Sequence, residues 1–447
     1  MHLICRIGID NMSLSTLPKE DIVIFDVGLQ LCHIGINLLR LRREQREREE
    51  ARNRRKKRIV WVRKWIMRRP QHGMYEKLMQ ELRCEDEASF VNFIRFPPEL
   101  FQELVNTVGP IIQRKDTFFR RALPSGLKIA ITLRYLATGN SYTDIHYGFR
   151  LGINSVCLAV PEVCQALLDV YADEYMACPI EENEWRKHAE DFSRRWNFPH
   201  CCGAVDGKHV AIRKPANSGS VYHNYKGFFS VVLMALVDAR YRFLYATCGD
   251  YGSTSDGGVF DRTDLKQALS DNSINLPKPE PVVPGQRPLP YFIVGDEAFP
   301  LKTWLMKPLP QRGMSREQRI FNYRLSRARR VVENAFGILS ARFRCLLTTM
   351  PQKPHTVTTI VLASCLLHNI LITRKMRIIG DEITPDHEDA ETHEAIPGTW
   401  RNIGNLEDMG SHQRSNYGTK EAKEVRQYLC NYVNSPDGRV SWQNDKI

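Results

Sequence analysis

Two aspartates stand at the predicted ends of β-strands, where they could bind a metal ion. Asp206 closes an apolar run over 202–206, and Asp296 closes another over 290–296. Each has a glycine beside it, which would let a metal ion or a phosphate approach the backbone closely. Ligands gather at strand ends in α/β sheets because loops converge there. The alternative for either residue alone is an ordinary aspartate in a turn.

Glu333 is a third carboxylate in an unusual position. Apolar residues step by three and four around it and predict the buried face of a helix. These residues are Phe321, Leu325, Ala328, Val332, Ala335 and Leu339. Glu333 is one residue, about 100°, from Val332, so it borders this face. Either Arg329 or Arg330 could hold it in an ordinary helical ion pair, or it could complete a cation site with the two aspartates.

Carboxylates from separate elements suit one kind of chemistry. Hard cations such as Mg²⁺ and Mn²⁺ prefer oxygen ligands and keep waters for exchange with substrate. Two such ions about 4 Å apart activate the attacking water or 3′-hydroxyl and stabilise the leaving oxygen when a phosphodiester is cut. A nuclease of this kind therefore needs three or four carboxylates, and the sequence provides candidates for them.

The positive charge of the chain is concentrated in one segment. The whole sequence has 63 Lys and Arg against 51 Asp and Glu, a net charge of +12, and residues 40–69 contribute fifteen of the basic residues and four Glu. This segment predicts nuclear localisation or phosphate binding, with the cytoplasm left open as a second location. Its core is Arg54, Arg55, Lys56, Lys57 and Arg58. The alternative is a solvated helix with internal ion pairs.

The elements that must position these residues fall into four predicted regions. Residues 1–73 form a basic, weakly ordered N-terminal region. Residues 74–198 are helical, and a short helix over 141–147, a turn at Gly152 and a longer helix capped by Asn154 predict a helix-turn-helix-like domain. A plain helical bundle is the alternative.

Beyond residue 199 the pattern changes to strands. Three strands, a helix over 257–269, a fourth strand and two long helices predict an α/β sheet with a helical flank over 199–375. Residues 376–447 predict an acidic flexible tail with one helix over 420–433. The twelve cysteines form no metal-binding pattern and fit a reducing compartment. No membrane-spanning segment is predicted, which argues against a membrane function.

Several ordered blocks resemble the PIF/Harbinger-type DDE transposase family, which includes domesticated nucleases and plant ALP1-like proteins. The resemblance covers about 74–374, and its blocks are 203–210, 224–230, 252–256, 295–300, 325–337 and 367–370. Two positions depart from the family pattern. Glu297-Ala-Phe299 stands where Ser-Gly-Tyr is frequent, and Ser255 stands where His is common. Neither departure removes a carboxylate.

The resemblance implies an RNase H-like fold, a mixed sheet flanked by helices and preceded by the helix-turn-helix-like domain. It implies a catalytic triad of Asp206 and Asp296 on adjacent strands and Glu333 on the following helix, with Asp256 as a further ligand of Mg²⁺ or Mn²⁺. We expect the triad carboxylates to lie roughly 4–8 Å apart, close enough to share metal ions.

The function predicted from the resemblance is divalent-metal-dependent cleavage of DNA. Five basic side chains are expected to meet phosphates: Lys208, His209, Lys226, Arg329 and Arg330. The resemblance also implies a Myb/SANT-like DNA-binding companion protein and leaves a homo-oligomer open. The alternative function is a domesticated, catalytically silent protein that binds DNA or chromatin. The third hypothesis is a basic helical scaffold whose ion pairs are structural.

Overall fold

The structure, a computed structural model, describes residues 30, 33–48, 62–118, 121–374, 383–389, 391–409 and 418–447. The chain divides into two units, Met1–Arg63 and Lys64–Ile447. In the first unit residues 33–48 form a largely exposed helix. It carries ion pairs one turn apart, Arg43 with Glu47 at 3.1 Å and Arg48 with Glu44 at 3.8 Å. These are the pairs of a solvated helix, and the basic run over 54–58 lies outside the described residues.

Helices make up the second unit as far as its first strand. They are α1 (Lys64–Met67), α2 (Arg69–His72), α3 (Leu78–Glu85), α4 (Glu87–Ile94), α5 (Pro98–Ile112), α6 (Ser125–Thr138), α7 (Tyr142–Gly148), α8 (Ile153–Tyr175) and α9 (Glu182–Trp196). Helix α6 ends at Gly139, whose φ of 66° suits glycine. Ser141 then caps α7 through a hydrogen bond from the Asp144 amide.

The short helix, turn and longer helix predicted from the sequence are present as α7 and α8. Helix α8 starts directly after Gly152, so Asn154 lies inside its first turn and is not the predicted cap. The helix also continues to Tyr175, because buried residues such as Leu167 and Tyr171 keep it attached to the core. That these helices form a helix-turn-helix-like domain, and not a plain helical bundle, remains a prediction.

The sheet is mixed. Its strands are β1 (Cys201–Ala211), β2 (Ser230–Val237), β3 (Phe243–Tyr251), β4 (Phe292–Val294) and β5 (Leu305–Met306), in the order β3-β2-β1-β4-β5. Strands β1, β2 and β3 pair antiparallel, and β4 and β5 run parallel to β1. Strands β2 and β3 form an antiparallel hairpin. Its turn is held by the Asp238 carboxylate, which accepts hydrogen bonds from the amides of Arg240 and Arg242.

The prediction that Asp206 ends a strand is wrong. Strand β1 continues for five residues beyond Asp206, because 207–211 pair with β2. On the other edge of β1, β4 pairs with residues up to Ala204, and Lys208 pairs with a strand from the C-terminal region. On this edge of β1, Asp206 therefore lies in the gap between the part that pairs with β4 and the part that pairs with the C-terminal strand.

The helices that flank the sheet differ from prediction mainly at their ends. The single helix expected over 257–269 is two helices, α10 (Asp256–Phe260) and α11 (Asp264–Asp271), because the Thr263 side chain caps a new start. Helix α12 (Arg316–Arg342) begins with a capping box at Ser315 and buries all six residues of the predicted apolar face. A 3₁₀ turn, Arg344–Leu347, separates it from α13 (Pro354–Thr373).

Two of the helices, Ile153–Tyr175 and Pro354–Thr373, are long and apolar enough to cross a membrane by length and composition alone. They pack against each other, and α13 also packs against β3. Core helices of globular proteins pass the same test of length and composition. One buried cluster contains both Leu167 of α8 and Val210 of β1. The helical part and the sheet therefore share a core across residue 198.

The C-terminal region is not a flexible tail over its described residues, in contrast to the prediction. It contains β6 (His387–Glu388), β7 (Ala395–Ile396), a 3₁₀ turn at Thr399–Asn402, β8 (Glu407–Asp408) and α14 (Lys420–Asn434). Trp400 is buried against Gly337 of α12, and α14, the one helix predicted here, packs on α12. Strand β8 pairs antiparallel with β1. Isolated apolar residues in a polar sequence give no period, so the packing was not predictable.

Candidate active site

Three of the predicted carboxylates line one cavity of about 580 Å³. Asp206 comes from β1, Asp296 from the loop after β4 and Glu333 from α12. The other residues that line the cavity are Tyr225, Glu297, Pro308, Gln311, Asn322, Leu325, Ser326, Arg329, Asp408 and Met409. Three elements far apart in sequence thus bring their carboxylates to one place.

Asp206 is buried, with 6% of its surface exposed. The Lys208 side chain shares its face of β1, two residues on, and its Nζ lies 3.5 Å from Asp206 Oδ2. Burial raises the pKa of Asp206 to about 6; Lys208 and Arg329 oppose this rise, and Asp296 and Glu333 add to it. The positive charges of Lys208 and Arg329 therefore do not offset the effect of burial on the pKa of Asp206.

Asp296 lies two residues beyond β4, which is parallel to β1 and adjacent to it. Its Oδ1 accepts a hydrogen bond of 2.9 Å from the Ala298 amide. The turn is fixed by Lys307, whose Nζ donates to the carbonyls of Glu297 at 3.0 Å and Phe299 at 2.8 Å. Burial is the main cause that raises the pKa of Asp296.

Glu333 forms one of the two ion pairs expected from the sequence and also lines the cavity, while its part in a cation site remains a prediction. Arg329, one turn earlier, places Nη2 2.5 Å from Glu333 Oε1, which is the ordinary helical ion pair. Arg330 is not the partner, because its Nη1 lies 3.5 Å from Glu388. The Glu333 side chain is 29% exposed, and this exposed part lines the cavity with the two aspartates.

Asp256 is the most deeply buried of the four carboxylates, with 1% exposure at the first position of α10. Its Oδ1 has no hydrogen-bond partner among the residues that the structure describes. Burial raises the pKa of Asp256 to about 9, and the charges of Asp206 and Asp296 add to this rise. Asp256 approaches β1 at Gly207, the residue next to Asp206.

The donor set fits a hard divalent cation in its chemistry. All four side chains offer carboxylate oxygens, the pKa of three of them is raised, and one oxygen is unpartnered. Within the described ranges, however, no three His, Cys, Asp or Glu side chains already form a metal-binding group. Lys208 and Arg329 pair with two of the carboxylates. The expected spacing of the triad remains a prediction.

The five basic side chains predicted to meet phosphates are all engaged within the protein. Lys208 is 2% exposed and pairs with Asp408 as well as Asp206, and Lys226 pairs with Glu407 at 2.5 Å. His209 is equally buried; its Nδ1 lies 3.0 Å from Ser230 Oγ, and burial lowers its pKa to about 4. Arg329 and Arg330 hold glutamates, as described above. Any of them that binds DNA must first be released or share its partner.

Two residues of the site were missed from the sequence. Lys307 fixes the turn of Asp296, and Asp408 lines the cavity on the end of β8. Lys307 directly follows the short strand β5, and the apolar pair Leu305 and Met306 is the only sequence signal of that strand. No local sequence pattern predicts that Asp408 belongs to the site, because its partner Lys208 lies two hundred residues earlier in the chain.

Residues 205–369 match the family described as DDE superfamily endonuclease. This span contains Asp206, Asp256, Asp296 and Glu333. No solved structure matches the chain.

Curated relatives extend the similarity beyond that span. Protein ALP1-like of Arabidopsis thaliana is 29% identical over 263 residues, which is 57% of this chain and 62% of the relative. The Mus musculus protein named "Putative nuclease HARBI1" is 25% identical over 312 residues, 69% of this chain and 84% of the relative. The Homo sapiens protein of the same name is 25% identical over 335 residues, 73% and 91% of the two chains.

Proposed function

The chain belongs to the Harbinger-type family of DDE transposases and transposase-derived nucleases, and from this premise we propose that it is a divalent-metal-dependent DNA endonuclease. One observation carries the proposal. Asp206, Asp296 and Glu333, from three separate elements, line a single cavity. Asp256 lies beside Gly207, and its Oδ1 has no hydrogen-bond partner in the part of the chain that the structure describes.

We propose further that the sheet is RNase H-like. The support is its mixed order, in which an antiparallel set of three strands is followed by strands parallel to β1. A long helix with the third carboxylate comes after the sheet. Asp206 lies on β1 and Asp296 lies two residues beyond β4, the strand next to β1, which supports a shared site for the two aspartates.

Each carboxylate has a proposed part. Asp206, Asp296 and Glu333 would hold Mg²⁺ or Mn²⁺, and Asp256 would assist. Bound divalent cations would lower the pKa of the attacking water and stabilise the leaving oxygen. With a pKa near 9, Asp256 keeps a proton at neutral pH in the metal-free protein and must release it to become a ligand. Arg329 would keep Glu333 oriented towards the cavity through their ion pair.

A second candidate function is a catalytically silent protein that binds DNA. Its support is the pairing of Lys208 with Asp206 and of Arg329 with Glu333, which supplies positive charge to the cavity without a metal. A member of the family that has lost catalysis could keep such a site, because the ion pairs stabilise it.

A nicking assay on supercoiled plasmid distinguishes the two functions. The full-length chain is incubated with Mg²⁺, with Mn²⁺ or with a chelator, beside Asp206→Asn and the control Asp264→Asn at an exposed position of α11. We expect metal-dependent nicking by the wild type and the control and a loss of at least a hundredfold in Asp206→Asn. DNA binding without nicking in all three proteins would favour the silent function. A wild type that neither binds nor cuts DNA would contradict both.

A further inference from the structure

A short acidic segment from the C-terminal region crosses the edge of the candidate site. We name residues 406–409 the acidic strap; they are Leu406, Glu407, Asp408 and Met409. Its two central residues form β8, which pairs antiparallel with β1 at Lys208 and His209. Leu406 and Met409, on either side, are each 5% exposed and belong to the buried clusters on which the sheet packs. The strap is therefore seated at both ends.

The carboxylates of the strap pair with two lysines beside the cavity. Asp408 pairs with Lys208, and Glu407 Oε2 lies 2.5 Å from Lys226 Nζ. The Asp408 carbonyl also accepts a hydrogen bond of 3.1 Å from the Tyr225 hydroxyl. Asp408 itself lines the cavity that contains Asp206, Asp296 and Glu333.

The strap thus presents negative charge where the proposed function needs a DNA backbone. Lys208 and Lys226 are the basic side chains next to the strap, and each already has a carboxylate of the strap as its partner. A phosphodiester strand that reached the triad would be repelled by Asp408, because a carboxylate and a phosphate carry like charge. Consecutive side chains of a strand point to opposite faces, so Asp408 alone lines the cavity, while Glu407 holds Lys226 beside it. Asp408 thus puts a negative charge where a backbone phosphate would approach the triad.

The strap is held by few polar contacts, and its release also exposes the buried side chains of Leu406 and Met409. Strand β8 has two residues and two register partners on β1. The side chains of Glu407 and Asp408 are 57% and 72% exposed, so water can replace Lys226 and Lys208 as partners of these carboxylates. When the strap leaves, Lys208 still has Asp206 at 3.5 Å, so the lysine is not left buried without a partner.

We propose that the acidic strap is an autoinhibitory segment that puts a carboxylate in the path of a backbone phosphate and that DNA must displace to reach the triad. This inference rests on the proposed function. The inference adds to the proposed function a closed state, in which the chain itself covers the site. The strap would then set how readily the protein engages DNA, separately from whether the triad can cut.

The test compares Glu407→Gln/Asp408→Asn with Glu421→Gln/Glu424→Gln, a control on exposed residues of α14 that removes the same charge. Binding of a short DNA duplex is measured in a chelator over a range of salt concentrations. We expect the strap variant to bind about tenfold tighter than the control at low salt. Its salt slope should be steeper by about 1, since Lys226 becomes free for a phosphate while Lys208 keeps Asp206 as its partner. Equal affinity and slope in the two variants would overturn the proposal.

A second measurement needs no DNA. An amine-acylating reagent labels exposed lysines, and mass spectrometry follows Lys208, which is 2% exposed in the wild type. We expect labelling of Lys208 several times faster in the strap variant than in the control, with the melting temperature unchanged. Tyr225→Phe, which removes one contact of the strap, should give a smaller effect in the same direction.

The two measurements distinguish failure of this inference from failure of the proposed function. If the wild type and the control bind and nick DNA but the strap variant behaves identically, the strap is structural and the function stands. If no protein binds DNA, the proposed function fails and the inhibitory role fails with it. Lysine labelling then still determines whether the strap covers Lys208.

Discussion

Asp256 reaches β1 because residue 207 has no side chain. A β-carbon at Gly207 would lie 2.5 Å from Asp256 Oδ1, a distance that real β-carbons do not adopt. The sequence associated this glycine with a turn, but it lies inside β1 and is needed for the close approach of a carboxylate. Gly207 therefore positions the fourth acidic residue beside Asp206.

Gly207→Ala should impair the site while leaving the fold intact. The new methyl group must push Asp256 away, and a displacement of about 1 Å at a reactive centre can cost a hundredfold in rate. We expect metal-dependent nicking to fall by at least tenfold, and the rise in melting temperature on addition of Mn²⁺ to shrink. Gly35→Ala is the control, because nothing lies within 4 Å of its added carbon. Full activity in Gly207→Ala would show that Asp256 is dispensable.

The metal-free protein should lose stability as the pH rises. The pKa values of Asp256, about 9, and Asp206, about 6, are raised above the ordinary aspartate value of 3.8. Groups whose folded pKa is raised stabilise the fold fully below the unfolded pKa. That contribution is lost as the pH rises through the folded pKa. We therefore expect the melting temperature in a chelator to fall between about pH 4 and pH 9.

Asp256→Asn tests the origin of this dependence. The neutral amide cannot ionise, whereas at pH 8 the folded wild type must keep on Asp256 a proton that the unfolded chain has lost. The variant should therefore be more stable than the wild type, and its advantage should grow by up to about 1.4 kcal/mol for each pH unit above pH 4. The difference should vanish towards pH 4. Thermal melts at several pH values, with Asp264→Asn as control, measure it. Parallel curves for wild type and Asp256→Asn would show that Asp256 does not titrate in this range.

The carboxylates of the site were predictable because each borders an apolar pattern. Asp206 and Asp296 follow runs that become β1 and β4, and Glu333 lies next to Val332 on the buried face of α12. Their meeting in one cavity was expected from the family resemblance. The choice of Arg329 over Arg330 as partner of Glu333 was not, since both have helical spacing and the difference lies in the position of Glu388.

Other features depend on contacts that no local pattern records. Residues 207–209 were expected to lie beyond the end of the strand, yet they continue β1, and Lys208 is buried there with Asp206 and Asp408 as its partners. Strand β8 has two residues and its partner lies two hundred residues earlier. Trp400 packs on Gly337, and a lone tryptophan in a polar segment gave no indication of that contact.

Deletion of residues 40–61 should affect delivery and affinity more than chemistry. The segment contains eleven Lys and Arg and four Glu, a net charge of +7 out of +12. The rest of the basic segment is spared because it joins the folded unit, where the Trp65 carbonyl accepts a hydrogen bond from Arg150 and Arg69 pairs with Glu76. We expect loss of nuclear accumulation and a shallower salt dependence of DNA binding, with nicking retained.

Fluorescence microscopy and salt titrations measure these effects, with deletion of residues 2–23 as a control of the same length. A truncated protein that stayed nuclear and kept its salt slope would show that the segment is only a solvated helix. The ion pairs of Arg43 and Arg48 with glutamates one turn away are consistent with that alternative.

Glu333→Gln separates the two roles that this residue combines. Glutamine keeps the length and helical propensity of the side chain but removes the charge that a hard cation needs. As a helical ion pair with Arg329, Glu333 should contribute at most about 0.5 kcal/mol. As a metal ligand it should be indispensable, so we expect nicking to fall by at least a hundredfold while the metal-free melting temperature changes by a few degrees at most.

Glu182→Gln is the matched control, because Glu182 pairs with Arg186 one turn away on α9, 3.0 Å between Oε2 and Nη2, and does not line the cavity. Both substitutions break a helical ion pair, so any effect they share belongs to helix stability. Binding of Mn²⁺, followed by calorimetry, should weaken only in Glu333→Gln. If that variant cuts DNA in Mg²⁺ as fast as the control does, Glu333 serves the helix alone and the triad lacks its third ligand.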